Sequence, residues 1–187
     1  MARLETFADG VFAIAATLLV LDVRVLDHWA SYVAYAVSFM TIGIMWLNHH
    51  QLMAQIARVD RRFMVANLGL LMCIAFVPFP TRLLAEDLGH EGARDAALAC
   101  GFTLTITAIF FSIVWFYAAR GRRLLRDDCD PRVVAGITRS YLPGIPMYLT
   151  ATLVAFASPW ASAVLYLVIA AVYIFESSLF GGAVAAD

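Results

Sequence analysis

Charged residues are scarce in this sequence, and lysine is absent from it. Charged side chains make up 14% of the 187 residues, whereas a soluble domain carries about 25%. Hydrophobic residues reach 63%, and the mean hydropathy is +0.81. These values exclude an ordinary soluble domain and predict an all-α membrane protein that crosses the bilayer several times.

The sequence also lacks the patterns that carry most enzymatic and metal chemistry. It contains no glycine-rich phosphate loop, no HExxH and no carbonyl filter of the TVGYG type. Its three cysteines follow no disulfide or metal-binding spacing, and His49-His50 lacks a second histidine cluster to complete a metal site. From these missing patterns we predict no enzyme activity, no cofactor and no metal. The net charge of -1 gives no strong attraction to nucleic acid, so we predict no nucleic-acid partner.

Uncharged runs predict six membrane-spanning helices within a single domain, residues 1–187. The longest run is divided at Ser158-Pro159, because proline lacks the N–H group that a helix interior requires. The predicted helices cover approximately residues 4–25, 29–54, 62–84, 95–120, 139–157 and 160–181.

The arginines predict the orientation of these helices. If the N-terminus is cytoplasmic, ten of the thirteen arginines lie on the cytoplasmic side, and only Arg24, Arg82 and Arg94 lie outside. This distribution follows the positive-inside rule and predicts that both termini are cytoplasmic. The arginine-rich loop 119–132 is interpreted as a topology anchor or as a contact for phospholipid headgroups.

The uncharged stretch of the first predicted helix is unusually short. Twelve uncharged residues separate Asp9 from Asp22, which is about 18 Å of helix against a hydrocarbon core of about 30 Å. One face of this helix carries an apolar stripe, formed by Gly10, Ile14, Thr17, Leu18 and Leu21. The spacing fits an internal packing helix as well as a helix at the centre of an assembly.

Polar residues gather at the predicted cytoplasmic end of the first two helices. Arg3 and Asp9 lie at the same predicted depth as Trp46, Asn48 and His49. A carboxylate in a membrane requires partners, so we predict a polar network that joins Asp9, Arg3 and His49. A proton-sensing role for His49 is a further hypothesis.

Three segments resemble the transmembrane protein 175 family of potassium channels. That family carries Arg-x-x-x-Phe-Ser-Asp in its first helix, and RLETFADGVFAIAATLLVLDV presents it as Arg3, Phe7, Ala8 and Asp9. IGIMWLNHHQLMAQI (42–56) and FVPFPTRLL (76–84) resemble the second and third helices of the family. Ala8 replaces the family serine, so the role of that hydroxyl is lost here.

The resemblance implies a homotetramer of six-helix subunits in a prokaryotic plasma membrane, surrounded by lipid. It implies a central pore lined by the first helix, with potassium, a monovalent cation, as the permeant ion. The implied constriction is apolar and comprises Ile14, Thr17, Leu18 and Leu21, with Asp22 at the outer pore mouth. From the residues alone, two alternatives stay open: a proton-linked transporter or proton leak pathway, and a purely structural or partner-binding membrane protein.

Overall fold

The computed structural model describes the backbone of residues 2–18 and 29–181, and the side chains of residues 2–18 and 35–173. Regular structure in these ranges is helical, apart from one isolated bridge between two loops, which confirms the predicted all-α class. The helices are α1 (Ala2–Leu18), α2 (Trp29–Ala54), α3 (Arg61–Phe76), α4 (Pro78–Asp87), α5 (Ala93–Ala119), α6 (Pro131–Tyr141), α7 (Gly144–Val154) and α8 (Pro159–Gly181), with a 3-10 turn at Arg120–Arg122.

Two segments of the described chain are long and apolar enough to cross a membrane. They are Arg61–Asp87 and Ala93–Arg122. The first contains both α3 and α4, because the intervening Val77 keeps helical torsion angles and donates its N–H to the carbonyl oxygen of Cys73 at 3.2 Å. Pro78 ends the α3 hydrogen-bond pattern without turning the chain away, since proline is tolerated at the first position of a helix. The predicted third helix, 62–84, falls within this segment.

The fifth predicted helix, 139–157, differs from the structure. The chain is already helical from Pro131 and bends at Leu142-Pro143 between α6 and α7. The early start has a local cause, because the Asp130 side chain caps α6 by accepting the Arg132 N–H at 2.7 Å and Pro131 occupies the first turn. Charged residues in this part of the chain concealed the helix from a search for uncharged runs.

The helix α5 is the central element of the described bundle and contacts α3, α4, α6, α7 and α8. Small residues allow these contacts, as at Gly101, where an added Cβ would collide with the hydroxyl groups of Thr152 and Tyr166. Tyr166 donates its hydroxyl to the carbonyl oxygen of Ala97 at 3.1 Å, and Thr105 lies 3.5 Å from Thr152 between their hydroxyl oxygens. Apolar packing and interhelical hydrogen bonds therefore hold α5, α7 and α8 together.

Two loops meet at the end of the bundle where most arginines lie. The Ala57 N–H donates to the Leu124 carbonyl oxygen and the Arg126 N–H donates to the Gln55 carbonyl oxygen, each at 2.9 Å. Beside this bridge, Asp60 caps α3 through the Phe63 N–H at 2.8 Å. The other Asp60 carboxylate oxygen accepts from the Tyr117 hydroxyl at 2.6 Å and from Arg123 at 3.1 Å.

We expect Asp60→Asn to lower the thermal stability of the purified protein modestly at neutral pH. The Tyr117 hydroxyl, the Phe63 N–H and Arg123 hold the pKa of Asp60 below its ordinary value. A carboxylate with a depressed pKa stabilises the fold above its unfolded pKa of about 3.9, and this contribution is lost as the pH falls through the folded-state pKa. Thermal unfolding of Asp60→Asn and the unmodified protein should therefore converge in acid, and an equal difference at all pH values would contradict this account.

Candidate functional site

The helix α1 has one buried face and one exposed face. Ala8, Phe12 and Ala15 are buried, at spacings of four and three residues, and α1 contacts α2 and α3. The side chains of Phe7, Ile14 and Leu18 are 54%, 61% and 45% exposed. Since both sets follow the helical repeat, α1 docks by one face and leaves an apolar stripe uncovered.

The stripe contains most of the constriction residues predicted from the sequence. Gly10 and Thr17 are exposed beside Ile14 and Leu18. Thr17 donates its hydroxyl to the Ile14 carbonyl oxygen at 3.0 Å, which leaves the exposed hydroxyl oxygen able to accept a hydrogen bond or contact a cation. Leu21 and Asp22, predicted for the constriction and the outer mouth, lie outside the described residues.

Asp9 is joined to α2 through an aromatic side chain. The Trp46 indole donates its N–H to an Asp9 carboxylate oxygen at 2.9 Å. Trp46 also stacks on His50, with ring centroids 5.7 Å apart. This contact provides the Asp9 side chain with a hydrogen-bond donor and joins α1 to α2.

A second polar contact lies on the buried side of α1. His49 is 2% exposed, and its Nε2 atom lies 2.8 Å from Oδ1 of the completely buried Asn67 on α3. Phe12 of α1 packs against the His49 ring at a centroid distance of 5.4 Å. The Asn67 side-chain NH₂ group is buried without a hydrogen-bond partner among the described residues. Ala8, at the position of the family serine, is completely buried.

The pairing of these residues differs from the predicted Asp9–Arg3–His49 network. Asp9 contacts Trp46 and His49 contacts Asn67, whereas Arg3 is exposed and has no ionic partner among the described side chains. Asn48 lies apart from them and lines a cavity of about 40 Å³ between α2, α5, α7 and α8. Asn67 was not among the residues predicted from the sequence, although a lone amide within the apolar run of α3 was a usable signal.

We expect Trp46→Phe to weaken the docking of α1 on α2. The substitution keeps an aromatic ring but removes the donor to Asp9, and a hydrogen bond to a charged, exposed group contributes about 1–2 kcal/mol. Thermal unfolding in detergent measures the loss. Trp160→Phe is the matched control, since Trp160 is exposed and makes no hydrogen bond among the described residues. Equal stability losses in the two variants would contradict a specific role for the Trp46–Asp9 bond.

The chain is similar in sequence and in structure to proteins named as potassium channels. Residues 3–78 match the sequence model of a family described as the endosomal/lysosomal potassium channel TMEM175. A protein from Chamaesiphon minutus named as a potassium channel is 41% identical over 191 aligned residues, which cover 94% of each chain. A crystal structure from Chamaesiphon minutus is described as a lysosomal potassium-selective channel TMEM175 homolog. It superposes on this chain with a TM-score of 0.84 at 39% identity, and the alignment covers 94% of this chain and 97% of the Chamaesiphon chain.

An animal relative carries a different functional name. The Gallus gallus protein named as the endosomal/lysosomal proton channel TMEM175 is 29% identical over 136 residues. These residues cover 60% of this chain and 27% of the longer chicken protein. The resemblance predicted from the first three helices is confirmed by the match to the family and by the Chamaesiphon relatives.

Proposed function

This chain belongs to the TMEM175 family of ion channels, which is not a family of enzymes, and we propose that it conducts potassium ions passively across a membrane. In this proposal, copies of the chain assemble around a central pore, and the exposed stripe of α1 lines that pore. Ile14, Leu18 and Leu21 form the apolar constriction, Thr17 contributes hydroxyl oxygens, and Asp22 lies at the outer mouth.

The exposed stripe of α1 is the observation that carries the proposal. Ile14 is 61% exposed on a helix whose opposite face is buried against α2 and α3. One chain presents one such stripe, so a closed pore requires several copies around an axis, and we propose the homotetramer implied by the family resemblance. A ring of four isoleucine or leucine side chains narrows a pore and can gate it by excluding water.

An apolar ring also favours the larger of two monovalent cations. An ion that passes the ring loses part of its hydration shell, and the smaller sodium ion holds its shell more tightly than potassium does. Thr17, one helical turn from Ile14, offers partial compensation through its hydroxyl oxygen. The difference in hydration between the two ions therefore favours potassium over sodium.

The positions of the charges support an arrangement in a plasma membrane with the N-terminus of α1 inside. The loops that join α2 to α3 and α5 to α6 lie together, and between them carry Arg58, Arg120, Arg122, Arg123 and Arg126. This concentration of arginines is the pattern of a cytoplasmic surface. We propose that both termini lie on this side.

Proton permeation is a second candidate, because the chicken relative is named as a proton channel. The described side chains give less support to a proton-coupled transporter. None of the aspartates or glutamates among residues 2–18 and 35–173 is buried, whereas proton-coupled transporters place acids inside the membrane. The buried His49 contacts neutral Asn67 and Phe12 and not the exposed stripe.

Reconstitution into liposomes tests the proposed function. Purified protein should release potassium down its gradient, with a flux that rises linearly with the gradient and needs no second ion. Proton entry without added ionophore, at a rate comparable to that of potassium, would favour the proton pathway. A flux that saturates or that requires a coupled gradient would contradict the channel, as would intact oligomers without any flux.

A further inference from the structure

The helix α6 carries an exposed basic face at the arginine-rich end of the bundle. Arg132, Ala135 and Arg139 are exposed at spacings of three and four residues, and Gly136, Ile137 and Tyr141 are buried. The exposed side changes character after Arg139, since the next exposed side chain, Leu142, is apolar and 61% exposed. An amphipathic helix with this sequence of exposed groups suits the boundary between lipid headgroups and acyl chains.

Contacts with α5 determine how α6 is placed. Tyr141 stacks on Phe111 at a centroid distance of 5.9 Å, and the Trp115 indole donates to the Thr138 hydroxyl at 3.0 Å. These pairs show that α6 runs antiparallel to α5, because its later residues contact the earlier residues of α5. The basic face therefore cannot rotate inward without breaking both contacts.

The same antiparallel pairing places Arg120 at about the depth at which α6 begins. Arg122 donates to the Cys129 carbonyl oxygen at 3.2 Å, just before the helix begins. Arg120 is five residues beyond Trp115, and Arg132 is six residues before Thr138. At about 1.5 Å per residue, Arg120 and Arg132 lie at similar depth.

Neighbouring acids form no ion pair with these arginines in the described part of the chain. Asp130, the nearest in sequence, accepts the backbone N–H of Arg132 at 2.7 Å as the cap of α6. Arg123 pairs with Asp60 and Arg126 pairs with Asp128, at 3.1 and 3.0 Å. Asp127 lines a recess together with Glu5 of α1, and not the face of α6. By contrast, the exposed Arg120, Arg132 and Arg139 have no ionic partner among the described side chains.

We propose that Arg120, Arg132 and Arg139 bind the headgroup of an anionic phospholipid, whose acyl chain lies along Leu142. The site matches the charge of a phosphodiester, which guanidinium groups bind through charge-assisted hydrogen bonds. Its position next to an exposed leucine selects a lipid over a free anion. The site lies away from the α1 stripe and does not depend on ion conduction.

Thermal protection by defined lipids tests this site. Dioleoylphosphatidylglycerol added to the detergent-solubilised protein should raise the unfolding temperature more than dioleoylphosphatidylcholine does. Arg132→Gln with Arg139→Gln should weaken the apparent binding of the anionic lipid about 25-fold, because each arginine at an anionic surface contributes about fivefold. Arg94→Gln, a change of the same kind in the first turn of α5 at the opposite end of the bundle, is the matched control and should bind the lipid normally.

Three results would overturn the proposal. These are equal protection by the two lipids, full protection of the double variant, and equal protection by inorganic phosphate, which would assign the arginines to a free anion. If the double variant does not fold, the single variants decide the question, since each should lose about fivefold in apparent affinity and unchanged affinity in both would overturn the site.

Discussion

Ile14→Asn is expected to raise the potassium conductance about tenfold and to reduce the discrimination against sodium. Asparagine is smaller than isoleucine, and its amide hydrates the narrowest part of the proposed pore and offers an oxygen to either cation. A tenfold increase corresponds to about 1.4 kcal/mol removed from the barrier to permeation. Single-channel recording with potassium on one side and sodium on the other measures both the conductance and the selectivity.

Ile14→Leu is the control for this prediction. It keeps an apolar side chain at a position that is 61% exposed in the subunit, so the ring persists and the preference for potassium should survive. If Ile14→Asn left both conductance and selectivity unchanged in channels of normal assembly, Ile14 would not lie in the ion pathway.

Gly101→Ala should destabilise the subunit by about 2–3 kcal/mol. The added Cβ would collide with the Thr152 and Tyr166 hydroxyl groups, and overpacking of a filled interior typically costs about 1–3 kcal/mol. Displacement of Tyr166 would also weaken its bond to the Ala97 carbonyl oxygen. Thermal unfolding in detergent, followed by the loss of the folded peak in size-exclusion chromatography, measures the change.

Gly43→Ala provides the matched substitution in another helix. An added Cβ at Gly43 meets no described atom within 4 Å, and alanine is a better helix former than glycine by about 1 kcal/mol. We therefore expect Gly43→Ala to be neutral or slightly stabilising. If Gly43→Ala and Gly101→Ala lost similar amounts of stability, the close contact of α5 with α7 and α8 would not explain the destabilisation by Gly101→Ala.

Much of the fold could be predicted from the sequence, because desolvation of charge determines which segments can cross a membrane. Uncharged runs located α5, and the helical repeat predicted the face of α1 that contains Ile14. The start of α6 at Pro131 escaped the same reasoning. This helix is amphipathic and basic, so its stability comes from the Asp130 cap and from packing on α5, and not from an apolar run.

The pairing of polar side chains was less accessible from the sequence. Depth along the helices brought Asp9, Trp46 and His49 to one level, but depth does not define how α1 and α2 are rotated about their axes. In the observed rotation, Asp9 accepts a hydrogen bond from Trp46, and His49 contacts Asn67. Asn67 itself was overlooked because a neutral amide does not interrupt a search for uncharged segments.

Block of a cysteine variant by silver ions tests the pore assignment most directly. The silver ion is monovalent and binds thiolates tightly, and the native Cys100 and Cys129 are buried while Cys73 is partly buried. The account predicts that silver blocks the potassium current of Ile14→Cys irreversibly, and spares the unmodified channel and Met72→Cys, whose residue is 68% exposed on α3. Block of Met72→Cys with an unaffected Ile14→Cys current would contradict a pore lined by α1.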